Sequence, residues 1–196
     1  MQINKVNSQP SFKAQIDPKL LNRAKESVEG NAAMEKYLDK RVKEIASYGD
    51  ENTVLSYGQV SGHDTYRLGT LIAENPAIPK KAYSSWYHHV IPLFNSTETN
   101  RCAEKNDAKA IDVISLMTPE NVYQAEKAMM QNYASDQEDN LAKAQELLPK
   151  LETRLAPKTY EACKEGLEEV AAKRKAYEDS YEWADSPTGR YRRSKR

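Results

Sequence analysis

Apolar residues recur every three or four positions between Thr118 and Ala184, and this spacing limits the fold more than any other feature of the chain. Thr118 can cap a helix, Pro119 suits its first position, and Glu120 places a carboxylate in the first turn, where free N–H groups favour negative charge. Met130, Ala134, Leu141, Ala144, Leu148, Leu151 and Leu155 then follow one seam, interrupted at Gln137. A second seam starts at Pro157 and passes through Tyr160, Cys163, Leu167, Val170, Arg174, Tyr177, Tyr181 and Ala184. The short break at Ala156-Pro157 predicts that the two helices fold back as an antiparallel hairpin, seam against seam. Pro149 lacks an N–H and crowds the carbonyl of Gln145, so a kink or break is expected at Leu148-Pro149. Arg174 is expected to lay its stem along the groove with its charge at the rim. Glu168 and Glu169 are expected to meet water.

Upstream, residues 1–16 are polar and read as a flexible arm whose one large apolar residue, Phe12, is a candidate partner anchor. Asp17-Pro18 repeats the cap-and-proline signature, and Leu20, Leu21, Ala24 and Val28 share a helical face that stops at Gly30. Asn31 caps a second helix with Met34, Tyr37, Leu38, Val42, Ile45 and Tyr48 at helical spacing, ended by Gly49. Thr53–Val60 and Thr65–Ile72 are β-rich, with Leu55 and Tyr57 on one face and Tyr66, Leu68 and Ile72 on one face, joined across Ser61-Gly62-His63-Asp64. A hairpin alone is marginal in water, so Tyr87–Leu93 is read as a third strand, held to an edge by Pro92. A further helix from about Glu98 or Asn106 to Leu116 would face Ala103, Ala110, Ile111, Ile114 and Met117 inward. The expectation is a predominantly helical α+β domain over residues 17–186, with a β-hairpin near 53–72 and a basic C-terminal tail over 187–196.

Phe12-Lys13-Ala14, within Pro10-Ser-Phe-Lys-Ala14, resembles a short N-terminal motif of many uncharacterised proteins of gut-dwelling bacteria. The resemblance covers less than a tenth of the chain. It implies a bacterial source and carries no activity.

Charge is balanced over 196 residues but unevenly placed. Residues 111–186 hold nine Lys and Arg against sixteen Asp and Glu, whereas the last ten residues hold five basic groups and no acid. Arg190, Arg192, Arg193, Lys195 and Arg196 are therefore candidate contacts for nucleic acid or an acidic partner. Lys80, Lys81 and Trp86 form a second candidate group, because interleaved basic and aromatic residues can neutralise a backbone and stack bases. An aromatic that anchors the sheet to the helices is the simpler reading of Trp86.

Most chemistries find no motif. His63, His88 and His89 match no zinc spacing, and adjacent histidines on a strand point to opposite faces. Ser61 in Gly58-Gln-Val-Ser-Gly62 sits one place late for a nucleophile elbow. Seven glycines include neither a P-loop nor a dinucleotide fingerprint, so no cofactor or metal is expected. Cys102 and Cys163 are too few for a disulfide framework and read as reduced thiols of a cytoplasmic protein. No apolar run approaches the roughly 20 residues that span a bilayer. Three readings follow: a non-catalytic protein-interaction or structural protein, self-pairing through an uncovered stripe included; an RNA- or DNA-associated protein; and an enzyme with a site near His63 or His88.

Overall fold

A computed structural model describes residues 14–60, 68–79, 89–92, 110–135, 139–186 and 189–194. The chain order is β1 (Gln15–Ile16), α1 (Pro18–Val28), α2 (Ala32–Ile45), β2 (Val54–Val60), β3 (Leu68–Glu74), β4 (His89–Pro92), α3 (Ala110–Ser115), α4 (Pro119–Ser135), α5 (Asn140–Leu151), α6 (Pro157–Asp179), β5 (Tyr181–Ser186) and β6 (Gly189–Ser194). It is a predominantly helical α+β fold.

The helix starts form as their caps dictate. Asp17 Oδ1 accepts from the amides of Lys19 and Leu20, Asn31 Oδ1 from Met34, and Thr118 Oγ1 from Asn121. Gly30 takes a left-handed φ of 79° between α1 and α2, a conformation that costs glycine no Cβ clash. Leu20, Ala24, Val28, Leu38 and Ile45 are buried from these two helices, and Ala110, Ile111, Ile114 and Met117 from α3 and its end. Ala103 and the rest of the helix expected before Ala110 lie outside the described residues.

The main sheet has the order β1-β2-β3-β4, with β1 parallel to β2 and the other pairs antiparallel. It is thus mixed, not wholly antiparallel. Gln15 N–H donates to Thr53 O and Asp17 N–H to Leu55 O, so the last two residues of the stretch read as an arm add a strand. Two residues carry no period, which is why the sequence hid this strand. The third strand does sit at the edge, with Pro92 as its last residue opposite Leu68. Leu55 pairs with Ala73, and Leu71 and Ala73 are the buried residues of β3. Ile72 is only partly buried, because Leu71 and Ala73 set the inner face of β3.

The C-terminal half differs most from expectation. The Met130–Leu155 stretch is not one helix. The polar run Ser135-Asp-Gln-Glu-Asp-Asn140 ends α4 and α5 begins at Asn140. The chain reverses there, α5 is the return leg, and α6 runs parallel to α4. The contacts climb both helices together: Glu126 meets Thr159, Lys127 meets Glu165 and Glu169, and Gln131 meets Glu169. The expected antiparallel partner of α6 is thus α5, while α4 lies alongside it in the same sense. Pro149 does not break α5, which continues to Leu151. The last helix stops at Asp179, and Tyr181–Ser186 pairs with Gly189–Ser194 as a second, two-stranded sheet. Tyr181 and Ala184 therefore extend no helical seam.

α4 belongs to both apolar clusters. Val122 and Ala125 join the cluster of α1, α2, α3 and the sheet, while Met129, Met130 and Ala134 join that of α5 and α6. α4 also packs on β3 and β4. Small residues allow the crowding: a Cβ added at Gly166 would stand 2.5 Å from the Lys127 carbonyl oxygen. Gly166→Ala is expected to lower stability by about 1–3 kcal/mol, because α4 must shift, although alanine suits a helix better. Urea unfolding checks this, and a more stable variant would show that the two helices do not touch there.

Candidate functional site

The described polar groups that lie deepest converge where the end of α2, the ends of β2 and β3, the middle of α4 and the start of α6 meet. Asp50 follows the turn that ends α2. Its Oδ1 accepts from the Asn52 amide at 2.9 Å and from Asn75 Nδ2 at 3.0 Å, and its Oδ2 accepts from the Ala156 amide at 2.8 Å. Asn75, directly after β3, also donates to Thr53 Oγ1 at 3.1 Å, and its Oδ1 accepts from the Ala77 amide. A carboxylate accepting three donors with good geometry is a strong tie between segments distant in sequence.

Glu126 projects from α4 into the same region and is 1% exposed. Its Oε1 accepts from Thr159 Oγ1 at 2.9 Å and from the Asp50 amide at 3.5 Å. Gly49 lies over the carboxyl, where a Cβ would stand 2.8 Å from Oε1. Among the described residues no Lys or Arg forms an ion pair with Glu126. Burial pushes its pKa up to about 7, the Asp50 charge adds to the rise, and the hydrogen bonds from Thr159, Asp50 and Thr53 oppose it.

A cleft of about 660 Å³ opens beside this carboxyl. Tyr48, Tyr123, Pro119 and Pro157 give it apolar walls, and Glu120, Glu161 and Lys158 add charge. A smaller cavity of about 300 Å³ shares Ser47, Tyr48, Pro157 and Lys158 with it and reaches Gly49 and Ala156. The first turn of α6 has no side-chain cap.

A polar clasp runs along the α4–α6 contact. Lys127 Nζ donates to Glu165 at 2.7 Å and to Glu169, Gln131 Nε2 donates to Glu169 at 2.7 Å, and Tyr123 Oη donates to Glu165 at 2.7 Å. That last bond, with burial, pushes the Tyr123 phenol up to about 12, while Lys127 and Tyr123 hold Glu165 below the usual carboxylate range. Glu169, expected to meet only water, is therefore half of this clasp, whereas Glu168 is exposed. Arg174 is part-exposed and donates to Glu178 at 3.2 Å, a rim position as expected. Arg41 of α2 donates to the carbonyls of Ser115 and Met117, closing the end of α3, and to the Tyr48 hydroxyl at 3.5 Å.

Of the candidate contacts singled out from sequence, none that is described lines this cleft. Phe12, His63, Lys80, Lys81, Trp86, His88, Cys102, Lys195 and Arg196 lie outside the described residues. Arg190, Arg192 and Arg193 fall on β6, in register with Asp185, Trp183 and Glu182. His89 is on β4 opposite Leu71. Cys163 is free and buried on α6, and burial raises its thiol pKa, which makes it inert. Among the described residues no group of three or more His, Cys, Asp or Glu is placed to hold a metal ion, and no helix is long and apolar enough to cross a membrane. The site that sequence reasoning missed had one visible signal: Glu126 stands in the apolar stripe Val122-Glu126-Met130 of a helix. Asp50 had none, because an acid after a glycine reads as turn chemistry. No known protein family, curated protein or solved structure matches the chain.

Glu126 makes a signed prediction for pH. Below its ordinary value of 4.5 it is protonated in both folded and unfolded chains. Between 4.5 and about 7 the folded chain holds the extra proton, so its contribution to stability is lost as pH rises through that window. Glu126→Gln should remove this slope and be more stable than the parent at pH 8 by up to about 3 kcal/mol. Urea unfolding of both proteins from pH 4.5 to 8 checks it. Parallel pH curves would show that the carboxyl does not titrate differently in the fold.

Proposed function

We propose that the protein is a non-catalytic interaction protein of a bacterial cytoplasm, docking to another protein through the end of α6 and the β5–β6 hairpin. The observation that carries this reading is the burial pattern of α6. Its core residues end at Val170, and from Ala171 to Asp179 no residue is buried. Tyr177 is 54% exposed within that stretch. The helix then leads directly into a two-stranded hairpin, an arrangement that is marginal unless something covers it. A partner strand or groove would supply such cover. A free thiol at Cys163 accords with a reducing compartment.

A second reading is favoured by β6, which gathers Arg190, Arg192 and Arg193 on one strand and suits a nucleic-acid backbone. The register weighs against it by setting Asp185 opposite Arg190 and Glu182 opposite Arg193.

Capture from extracts of the native cell separates the readings. The full chain is expected to enrich a specific protein, and a chain ending at Ser180 is expected to lose it while melting at the same temperature. Equal recovery by both chains, or no enriched protein, would overturn the proposal. Recovery of nucleic acid, with affinity that falls steeply with salt and a slope flattened by the truncation, would establish the second reading.

A further inference from the structure

We propose that the cleft beside Glu126 is a binding site for a small organic ammonium compound, with the Glu126 carboxylate as its counter-charge and Tyr48 and Tyr123 as its walls. This site is separate from the α6 hairpin and does not depend on the docking reading.

Three observations meet there. The first is a buried carboxyl with no cationic partner among the described residues. Its hydrogen bonds come from neutral donors, the Thr159 and Thr53 hydroxyls and the Asp50 amide. A carboxylate offers about four acceptor positions, so capacity for a charged donor remains. An isolated buried charge is costly, and a bound cation offsets that cost where a neutral hydroxyl cannot. The second is the wall. Two tyrosines and two prolines line a cleft of about 660 Å³, which suits the apolar body of an amine and places aromatic faces near its charge. The third is the charge balance of the lining. Glu120, Glu126 and Glu161 outnumber the single Lys158.

The titratable and charged groups around Glu126 are Asp50 and Tyr48 from the turn after α2, Glu120 and Tyr123 from α4, and Lys158, Glu161 and Cys163 from α6, with Arg41 of α2 behind the Tyr48 hydroxyl. The positive ends of α4 and α6 oppose a cation, and Glu120 in the first turn offsets that of α4. Asp50 accepts from the Ala156 amide at the start of α6, so Lys158 and the following first-turn amides are the positive groups on the side shared with the smaller cavity. A ligand carboxylate would meet them there. The ammonium group is thus the shared requirement, and a free amine or an amino acid could supply it.

Calorimetric titration of the full chain at pH 8 with three probes of one skeleton tests the proposal: isoamylamine, leucine and isovalerate. Saturable binding of isoamylamine or leucine, with none of isovalerate, is expected. Leucine alone would assign an amino acid, and isoamylamine binding at least as well would assign an amine. Glu126→Gln should weaken binding at least tenfold, and lowering the pH from 8 to 5.5 should weaken it for the parent chain as Glu126 takes up its proton. Glu161→Gln, an exposed change that leaves the core intact, should weaken it several-fold and serves if Glu126→Gln does not fold. No saturable binding of either ammonium probe up to about 10 mM would overturn the proposal. So would binding of isovalerate alone, or binding that pH and both substitutions leave unchanged.

Discussion

The carboxylate of Asp50 holds together parts of the chain that no continuous element joins. Through Asn75 it fixes the end of β3, through Asn52 the turn that leads into β2, and through the Ala156 amide the start of α6. Hydrogen bonds to a charged acceptor contribute about 1.5–3 kcal/mol each, and a buried donor that loses its acceptor costs a similar amount. Removing Asp50 would leave the buried Ala156 amide without its acceptor and the Asn75 side chain with Thr53 alone, while the exposed Asn52 amide would turn to water. Glu126 closes the junction from the α4 side, through Thr159 and the Asp50 amide, so that sheet and helices are locked at one end.

From that fixed end α4 and α6 run in the same direction. Gly166 lets them come close, and Lys127 clasps Glu165 and Glu169 where the apolar seam gives way to water. The clasp adds directional bonds to a contact that is otherwise apolar, between residues such as Met130, Leu167 and Val170. α4 then serves as the shared wall of two cores, one under the N-terminal helices and sheet and one under α5 and α6. Beyond the last turn of this packing, α6 continues without buried residues into the β5–β6 hairpin. Among the described residues, the buried contacts of α6 therefore gather toward the junction.

Local chemistry made much of this legible. Asp17, Asn31 and Thr118 cap the helices that their sequence announced, and Pro92 ends an edge strand as its missing N–H requires. Seam residues such as Cys163, Leu167 and Val170 are buried as their spacing implied. What spacing cannot convey is which helix a seam faces. Leu141 continues the phase of Ala134 across a polar run in which the chain turns back, so two short helices read as one, and the parallel pairing of α4 with α6 was invisible. Tyr181 and Ala184 stayed in phase with the last helix by coincidence, although Tyr181-Glu-Trp183 alternates as a strand does. The site was the least legible part. Its residues lie far apart in sequence and only tertiary packing joins them. The one exception is Glu126, a charged residue at a core position of α4, where a buried acid should prompt the question of what it faces.

The account turns on whether Asp50 holds the start of α6, and the exchange rate of the Ala156 amide hydrogen reports on that bond directly. Ala156 precedes the first residue of α6, outside the helix's own hydrogen-bond ladder, where an amide ordinarily exchanges quickly. With Asp50 as its acceptor, this amide should exchange as slowly as the core amides of α4, through global unfolding alone. Exchange as fast as that of an unprotected loop would contradict the junction and the architecture built on it.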